Sequence, residues 1–567
     1  MRIAALLSLV FFNVAMLAAQ RPPSTIPASR PFDIVIINGR VIDGTGSPWY
    51  SGQVGIRDGH IAAIGNLDSA ARRRTIDANG EVVAPGFIDM LGQSELSILV
   101  DPRVPSKIFQ GITTEVTGEG DSVAPLNASM VASDRAEYDH LKITPDWTNL
   151  GEYFARLEKQ GIGINLASYV GATTVRRMVL GDADVQPAPA QLDQMKALVD
   201  QAMRQGAVGL STALQYPPAP YAKTEELIAL ASVAAKYGGI YATHMRSEGN
   251  EEQQAIAETI RISRGAHIPV EIWHLKTAGK TNWGKMPQIV AQIQAARDAG
   301  VDIAADTYAY TAWANSLSAF IPPWAHDGGD AKMIERLKDP ATRARIRNNM
   351  LTNSSGWENE WQEIPGPEAV QIAAVQNAEL APLQGKRLSE VAALWHEDAI
   401  DAICDLLIKD QAFTEVAVFG MSDPDVALAL KQPWVSVDND SQGTSPEGIL
   451  GQEHPHPRAY GTFPRILRKY VREEHLLTLE DAIRKFTALP AQRMRFTERG
   501  VLKVGMAADI VIFDPATIRD TATYEQPNQF SRGMEYVLVN GIPVIAEGKM
   551  TGARPGQVLR GPGFAKN

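Results

Sequence analysis

The sequence predicts an α/β protein: a (β/α)8 TIM-type barrel, a small β domain drawn from the two chain ends, and a helical insertion late in the barrel. Three observations carry this. The middle of the chain alternates short apolar strands with helical stretches, the pattern of repeated strand–helix units. Both ends are runs of short strands punctuated by turn dipeptides. One gap between successive strand candidates, from Asp306 to Asp438, is far too long for a single crossover. With 567 residues the chain exceeds what one core serves, so two or more domains are expected.

Residues 1–20 read as a secretion signal: Arg2, an apolar run over residues 3–17, then Ala18-Ala19-Gln20. About 16 apolar residues is short for a membrane anchor, so a secreted or periplasmic protein without a stable anchor is expected. Residues 21–30 are Pro/Ser-rich and form a lead-in. Residues 31–84 then supply strands: residues 33–39 end in Asn38-Gly39, a hairpin signal, and residues 54–61 contain Asp58-Gly59. Residues 496–560 mirror them, with apolar runs at 505–513 and 536–541, the second ending in Asn540-Gly541. These ends suggest one shared β domain, two separate caps being the alternative.

Between them, residues 85–495 hold the barrel. Its candidate strands end near Asp89, Thr117, Ser168, Ser211, His244, His274, Asp306 and Asp438. His244 and His274 lie 30 residues apart, the length of one strand–helix unit, and residues 251–265 between them carry a helical pattern. The long gap places a mostly helical insertion at about residues 324–395; residues 416–419 are an extra strand or the true eighth. Residues 479–486 read as a closing helix. Net charge of −11 argues against general nucleic-acid binding. The single cysteine, Cys404, excludes an intrachain disulfide and a Cys-rich metal site.

In such a barrel the chemistry gathers at the C-terminal ends of the strands. A lone histidine there is usually a core or capping residue. Two successive strands ending in His244 and His274, followed by a late strand ending in Asp438, point instead to a metal site with an acid/base partner. Imidazoles are good zinc ligands, and a carboxylate beside the metal can take a proton from water.

Pro85-Gly86-Phe87-Ile88-Asp89 resembles the opening strand of the amidohydrolase superfamily, where it is followed by a metal-binding His-x-His pair. Leu91 and Gln93 stand in the two histidine positions. Further stretches resemble the D-aminoacylase, or N-acyl-D-amino-acid deacylase, branch: Gly209-Leu210-Ser211-Thr212 running to Tyr216-Pro217-Pro218, Tyr241-Ala242-Thr243-His244-Met245-Arg246, Ile272-Trp273-His274-Leu275-Lys276, Asp306-Thr307-Tyr308 and His456-Pro457-Arg458. The resemblance spans about residues 32–547 and favours a shared β-sandwich built from both ends. It implies zinc-dependent hydrolysis of N-acyl amino acids, small-molecule substrates, with His244 and His274 as metal ligands and Asp438 as general acid/base. It also implies that Lys276 binds the substrate carboxylate and that Tyr216 and Tyr308 line its pocket. Arg246 and Arg458 are further candidates for an anionic group. An isoaspartyl-type dipeptide or cyclic amide, or a non-catalytic binding role, remain the alternatives.

Loss of the His-x-His pair implies one zinc per chain. The family's zinc-binding cysteine falls on Gly120, flanked by Glu119 and Asp121. Either carboxylate can serve zinc; Glu119 is preferred for its longer arm.

Overall fold

The computed structural model describes residues 30–353 and 355–565. The expected secretion signal lies outside the described residues. Among them no helix is long and apolar enough to cross a membrane.

The protein is an α/β fold. Three parallel strands, Phe87–Asp89, Ile112–Thr117 and Asn165–Ser168, form one sheet. Six more run parallel in the order Val435–Val437, Ile303–Thr307, Val270–Ile272, Ile240–His244, Gly209–Ala213 and Val170–Gly171. Nearly every residue of these strands is buried, as expected for strands covered on both faces. Backbone bonds link the two sheets at both margins. On one side Tyr169 N–H donates to Thr117 O at 2.9 Å; on the other Met90 N–H donates to Val437 O at 3.4 Å and Asp440 N–H to Leu91 O at 3.0 Å. Helices follow the strands, among them Glu252–Ala266 between His244 and His274, and Leu479–Phe486.

The chain ends share one nine-stranded sheet, because Val82–Pro85 pairs antiparallel with Ile510–Phe513. This sheet has its own apolar cluster, including Ile34, Ile36, Val54, Ile56, Ile510, Ile512 and Leu538. Two turn expectations hold: Asp58-Gly59 and Asn540-Gly541 join antiparallel strands with positive φ at both residues of each pair (52° and 76°; 47° and 79°). The hairpin expected at Asn38-Gly39 does not form. The strand Phe32–Val41 runs through it, and Asn38, at φ 55°, makes a register shift instead. Gly39 is needed there because a Cβ would stand 2.4 Å from Val83 Cγ2.

The segment between Ile303–Thr307 and Val435–Val437 is wider and less helical than residues 324–395 implied. It carries a three-stranded antiparallel sheet, Trp313–Ser316, Glu415–Val418 and Val370–Ala374, together with helices. The apolar run at 416–419 is therefore the central strand of this insertion sheet. Hydrophobicity alone could not assign it, since a buried strand reads alike in either sheet.

A fully buried ion cluster sits where the first and last parallel strands meet. Lys107 Nζ lies 2.7 Å from Asp89 Oδ2 and 3.1 Å from Glu115 Oε2, and donates to Asn439 Oδ1 and Ser441 O, each at 2.8 Å. Ser94 Oγ donates to Glu115 Oε2 at 2.8 Å. One ammonium thus holds together the first strand, the second strand and the loop after Val435–Val437. Lys107→Met would leave two buried carboxylates without a cation, so unfolding stability should fall by about 3–5 kcal/mol. Urea unfolding checks this; a loss under about 1 kcal/mol would show that the cluster is not needed to hold the seam.

Candidate metal centre

Glu119, His244 and His274 reach one point from three different strand ends. His244 closes the strand Ile240–His244, and His274 lies two residues beyond Val270–Ile272. Glu119 sits in the loop after Ile112–Thr117. His244 Nδ1 is 3.1 Å from His274 Nε2; Glu119 Oε1 is 3.3 Å from the first and 3.2 Å from the second. Tetrahedral ligands at the usual zinc distances of about 2.0–2.1 Å stand about 3.3 Å apart. The triangle of donors therefore has the edge lengths that zinc requires.

The local backbone explains the choice of Glu119. Gly118 and Gly120 have φ of 96° and 65°, and a Cβ on Gly120 would meet Ala213 N at 2.5 Å. Position 120 therefore cannot hold a side chain here, and the carboxylate that reaches the two imidazoles comes from one residue back. Asp121 points elsewhere: its side chain is 58% exposed and receives a bond from Thr174 Oγ1 at 3.3 Å.

Each donor is oriented by a partner that the sequence did not identify. Gln93 Nε2 donates to Glu119 Oε2 at 2.7 Å and to Asp440 Oδ1 at 3.0 Å, leaving Glu119 Oε1 for the triangle. Gln215 Oε1 lies 2.8 Å from His244 Nε2, which fixes the proton there and frees Nδ1. At His274 two groups face Nδ1, Glu248 Oε1 at 2.8 Å and Lys276 Nζ at 2.7 Å, which leaves Nε2 toward the triangle. His274 adopts a left-handed φ of 38°, held by its N–H donating to Asp306 Oδ1 at 2.6 Å. Asp306 is thus an orienting residue. Leu91 is buried among Met90, Val116, Ala167 and Trp273 as packing. Glu248 and Gln215 lie in loops with no spacing signal, so only the fold brings them to the histidines.

The site attracts positive charge. Burial and Lys276 push the His274 imidazole down, but Glu248, Asp440 and Glu119 overcome them and raise its pKa to about 10. A divalent cation would meet the same demand, and two imidazoles with a carboxylate are a zinc donor set.

Asp438, one residue past Val435–Val437, is fully buried, and among the described residues neither carboxylate oxygen has a well-aligned hydrogen-bond donor. Burial raises its pKa to about 7; the Asp440 charge adds to the shift, while Asp306 and His274 oppose it. Tyr216 lines the cavity beside the triangle, its ring 4.9 Å from that of His244. Arg458 also lines it. Its Nη1 lies 2.7 Å from Asp440 Oδ2, yet Nε and Nη1 have no aligned hydrogen-bond acceptor among the described residues.

Three expected substrate contacts look different in the structure. Lys276 reaches the cavity, and its ammonium lies 2.7 Å from both Glu248 Oε2 and His274 Nδ1. Tyr308 is 1% exposed, turns its hydroxyl to Met421 Sδ at 3.8 Å, and offers its ring face to Arg458 and Lys276. Arg246 lies outside the cavity; Glu258 takes its guanidinium with two bonds of 2.8 and 3.0 Å, and Pro220 O accepts a third at 2.9 Å.

The triangle opens on a cavity of about 440 Å³, walled partly by the insertion sheet. A separate cavity of about 340 Å³ at the other ends of the strands, bordered by Val208, Ile240, Asp302 and Arg493, shares no residue with it.

Replacing Gln93 with leucine should weaken zinc binding about 10–100-fold, as loss of an orienting partner does. Glu119→Gln should weaken it beyond about 100-fold, because a bound anion is lost from a poorly solvated site. Asp121→Asn should bind zinc like the parent. Chelator competition measures all three; parental affinity in Glu119→Gln would remove it from the ligand set.

Comparison with known proteins places nearly the whole chain among relatives of known activity. The Amidohydrolase family model matches residues 74–545. An N-acyl-D-glutamate deacylase of Alcaligenes xylosoxydans xylosoxydans is 36% identical over 529 residues, covering 93% of this chain and 96% of that protein. A D-aminoacylase of the same organism is 35% identical, covering 94% of this chain and 98% of its own. The crystal structure of N-acyl-D-glutamate deacylase from Bordetella bronchiseptica, complexed with zinc and a phosphonate mimic of the tetrahedral intermediate, superposes with a TM-score of 0.78 at 34% identity. It covers 94% of this chain and 100% of that one.

Proposed function

The chain belongs to the amidohydrolase family, on the branch of D-aminoacylase and N-acyl-D-glutamate deacylase, and we propose that it hydrolyses N-acyl-D-amino acids to a carboxylate and a free amino acid. The observation that carries this reading is the triangle of Glu119 Oε1, His244 Nδ1 and His274 Nε2 at the floor of a cavity. The D-configuration follows the names of the relatives. We read the nine parallel segments as eight strands of one closed barrel, Tyr169 being a kink in the third; the backbone bonds across both margins support this. The sheet shared by the chain ends is read as the accompanying β-sandwich domain.

Zinc held by Glu119, His244 and His274 supplies Lewis acidity toward the scissile carbonyl and acidifies water. One ion per chain is expected, since Leu91 and Gln93 offer no imidazole for a second. Asp438, unpartnered and titrating near neutrality, accepts a proton from the attacking water and returns it to the leaving amine. Arg458 aims unfilled N–H groups at the substrate carboxylate and orients the amide. Lys276 stands 2.7 Å from both Glu248 Oε2 and His274 Nδ1 and borders the cavity, so it orients the metal-site histidine from a place where a substrate carboxylate can also reach it. Residues 1–20 support export of the protein to the periplasm or medium.

A panel of N-acetyl-D- and L-amino acids tests the reading, and absence of hydrolysis across the panel by zinc-loaded enzyme would reject it. Asp438→Asn should retain one zinc per chain while turnover falls by at least about 100-fold. A metal-loaded variant with near-parental rate would take Asp438 out of the mechanism. Two tightly held metals per chain would show that other side chains have built a second position.

A further inference from the structure

The insertion reaches the metal donors through one carboxylate. Glu360 opens the short helix Glu360–Glu363 and is 1% exposed. Asn359, just before it, ties the segment to the helix Pro340–Thr352 by donating to Met350 O at 2.9 Å. Glu360 Oε1 accepts from Asn315 Nδ2 at 2.5 Å and from Gln215 Nε2 at 2.7 Å, and Oε2 accepts from Trp313 Nε1 at 3.4 Å. Asn315 and Trp313 belong to the insertion sheet. Gln215 does not: it lies two residues past the parallel strand Gly209–Ala213.

This contact decides which way the Gln215 amide faces. An ionised carboxylate only accepts, so the end of the amide beside Glu360 is the nitrogen. The oxygen is left for His244 Nε2, at 2.8 Å. An amide oxygen also only accepts, so Nε2 carries the proton and Nδ1 keeps the lone pair that faces Glu119 and His274. Glu248 Oε2, at 4.0 Å from Nε2, is too far away to take that proton instead. With the amide turned over, a nitrogen would face Nε2 and favour a lone pair there. The proton would then sit on Nδ1, where a metal must bind.

We propose that Glu360 is a positioning residue for the metal centre: acting through Gln215, it fixes the His244 tautomer that can bind zinc. The inference rests on the metal-dependent hydrolase reading and deepens it. It gives the insertion a part in metal retention as well as in walling the cavity. Partners that orient a metal-binding imidazole contribute to metal affinity without touching the ion, and here the chain of contacts has one further link. Glu360 and Gln215 are 145 positions apart, so only the docked insertion completes it.

Zinc affinity, measured by chelator competition at about pH 8, tests the relay; burial raises the Glu360 pKa to about 7 against the donors Asn315, Trp313 and Gln215, so the carboxylate is ionised there. Glu360→Gln should weaken binding about 10–100-fold, because an amide at that place no longer selects one face of Gln215. Gln215→Glu offers His244 an acceptor whatever stands at position 360. It should therefore restore zinc binding to Glu360→Gln. Its gain there should exceed its gain in the parental chain by at least about ten-fold, since in the parent two carboxylates would oppose each other. Both substitutions are isosteric, and a residue that merely braces the insertion would show no such coupling. Parental affinity in Glu360→Gln, or equal effects of Gln215→Glu in the two backgrounds, would overturn the relay while leaving the metal centre in place. A parental chain that binds no zinc would reject the metal centre itself, and the relay with it.

Discussion

Buried negative charge is the constraint on which the centre of this protein depends. Asp89, Glu115, Glu119, Glu248 and Asp440 crowd one end of the parallel strands, away from bulk water. A carboxylate in such a place is tolerated only with a cation or several donors. The structure assigns one to each. Lys107 serves Asp89 and Glu115, Lys276 serves Glu248, Arg458 serves Asp440, and two imidazoles face Glu119. The last pairing differs from the others, because neutral histidines presenting lone pairs cannot balance an anion. A divalent cation between the three donors resolves that imbalance, and the raised pKa of His274 reports the same deficit as a tendency to hold a proton.

Leu91 and Gln93, just past the first parallel strand Phe87–Asp89, take different parts in the surroundings of the three donors. Leu91 joins the apolar layer inside the strands, where it packs against Met90 and Trp273. Gln93 keeps a polar role. Its amide nitrogen bridges Glu119 and Asp440, two carboxylates that would otherwise repel each other across the cavity floor. A neutral donor thereby occupies a position that the superfamily gives to a metal ligand. Asp440 itself has φ 45°, and His274 φ 38°; both are non-glycine residues held in the left-handed region beside the chemistry. Such strain persists where surrounding bonds over-determine the backbone, as the Asp306 and Leu91 contacts do here.

The insertion decides what the cavity can recognise. Its sheet supplies Trp313, Asn315 and Glu415 to the wall, and its short helix Glu360–Glu363 reaches Gln215, which in turn orients His244. The cavity wall and the orientation of His244 are therefore joined through one segment, although Glu119, His244 and His274 all come from the parallel-strand ends. This separation lets the metal chemistry stay constant while the wall changes.

Much of the framework was legible in the sequence. Alternating apolar runs gave the parallel strands, because buried strands need continuous hydrophobic residues, and the Asp-Gly and Asn-Gly pairs at 58–59 and 540–541 gave real hairpins, since few other residues accept positive φ. Strand-end position made His244, His274 and Asp438 stand out, and the missing cysteine narrowed the remaining ligand to Glu119 or Asp121. Tertiary structure alone brings Glu119, and not Asp121, beside the two imidazoles. It alone showed that Arg246 is held by Glu258, that Lys276 is held by Glu248, and that the 416–419 run belongs to the insertion sheet. The reason is common to all of these. A sequence records which groups carry charge or lone pairs and the period at which they recur, whereas the partner that satisfies a buried group is chosen by packing between segments far apart in the chain, as Gln93 with Asp440 and Lys107 with Asn439 show.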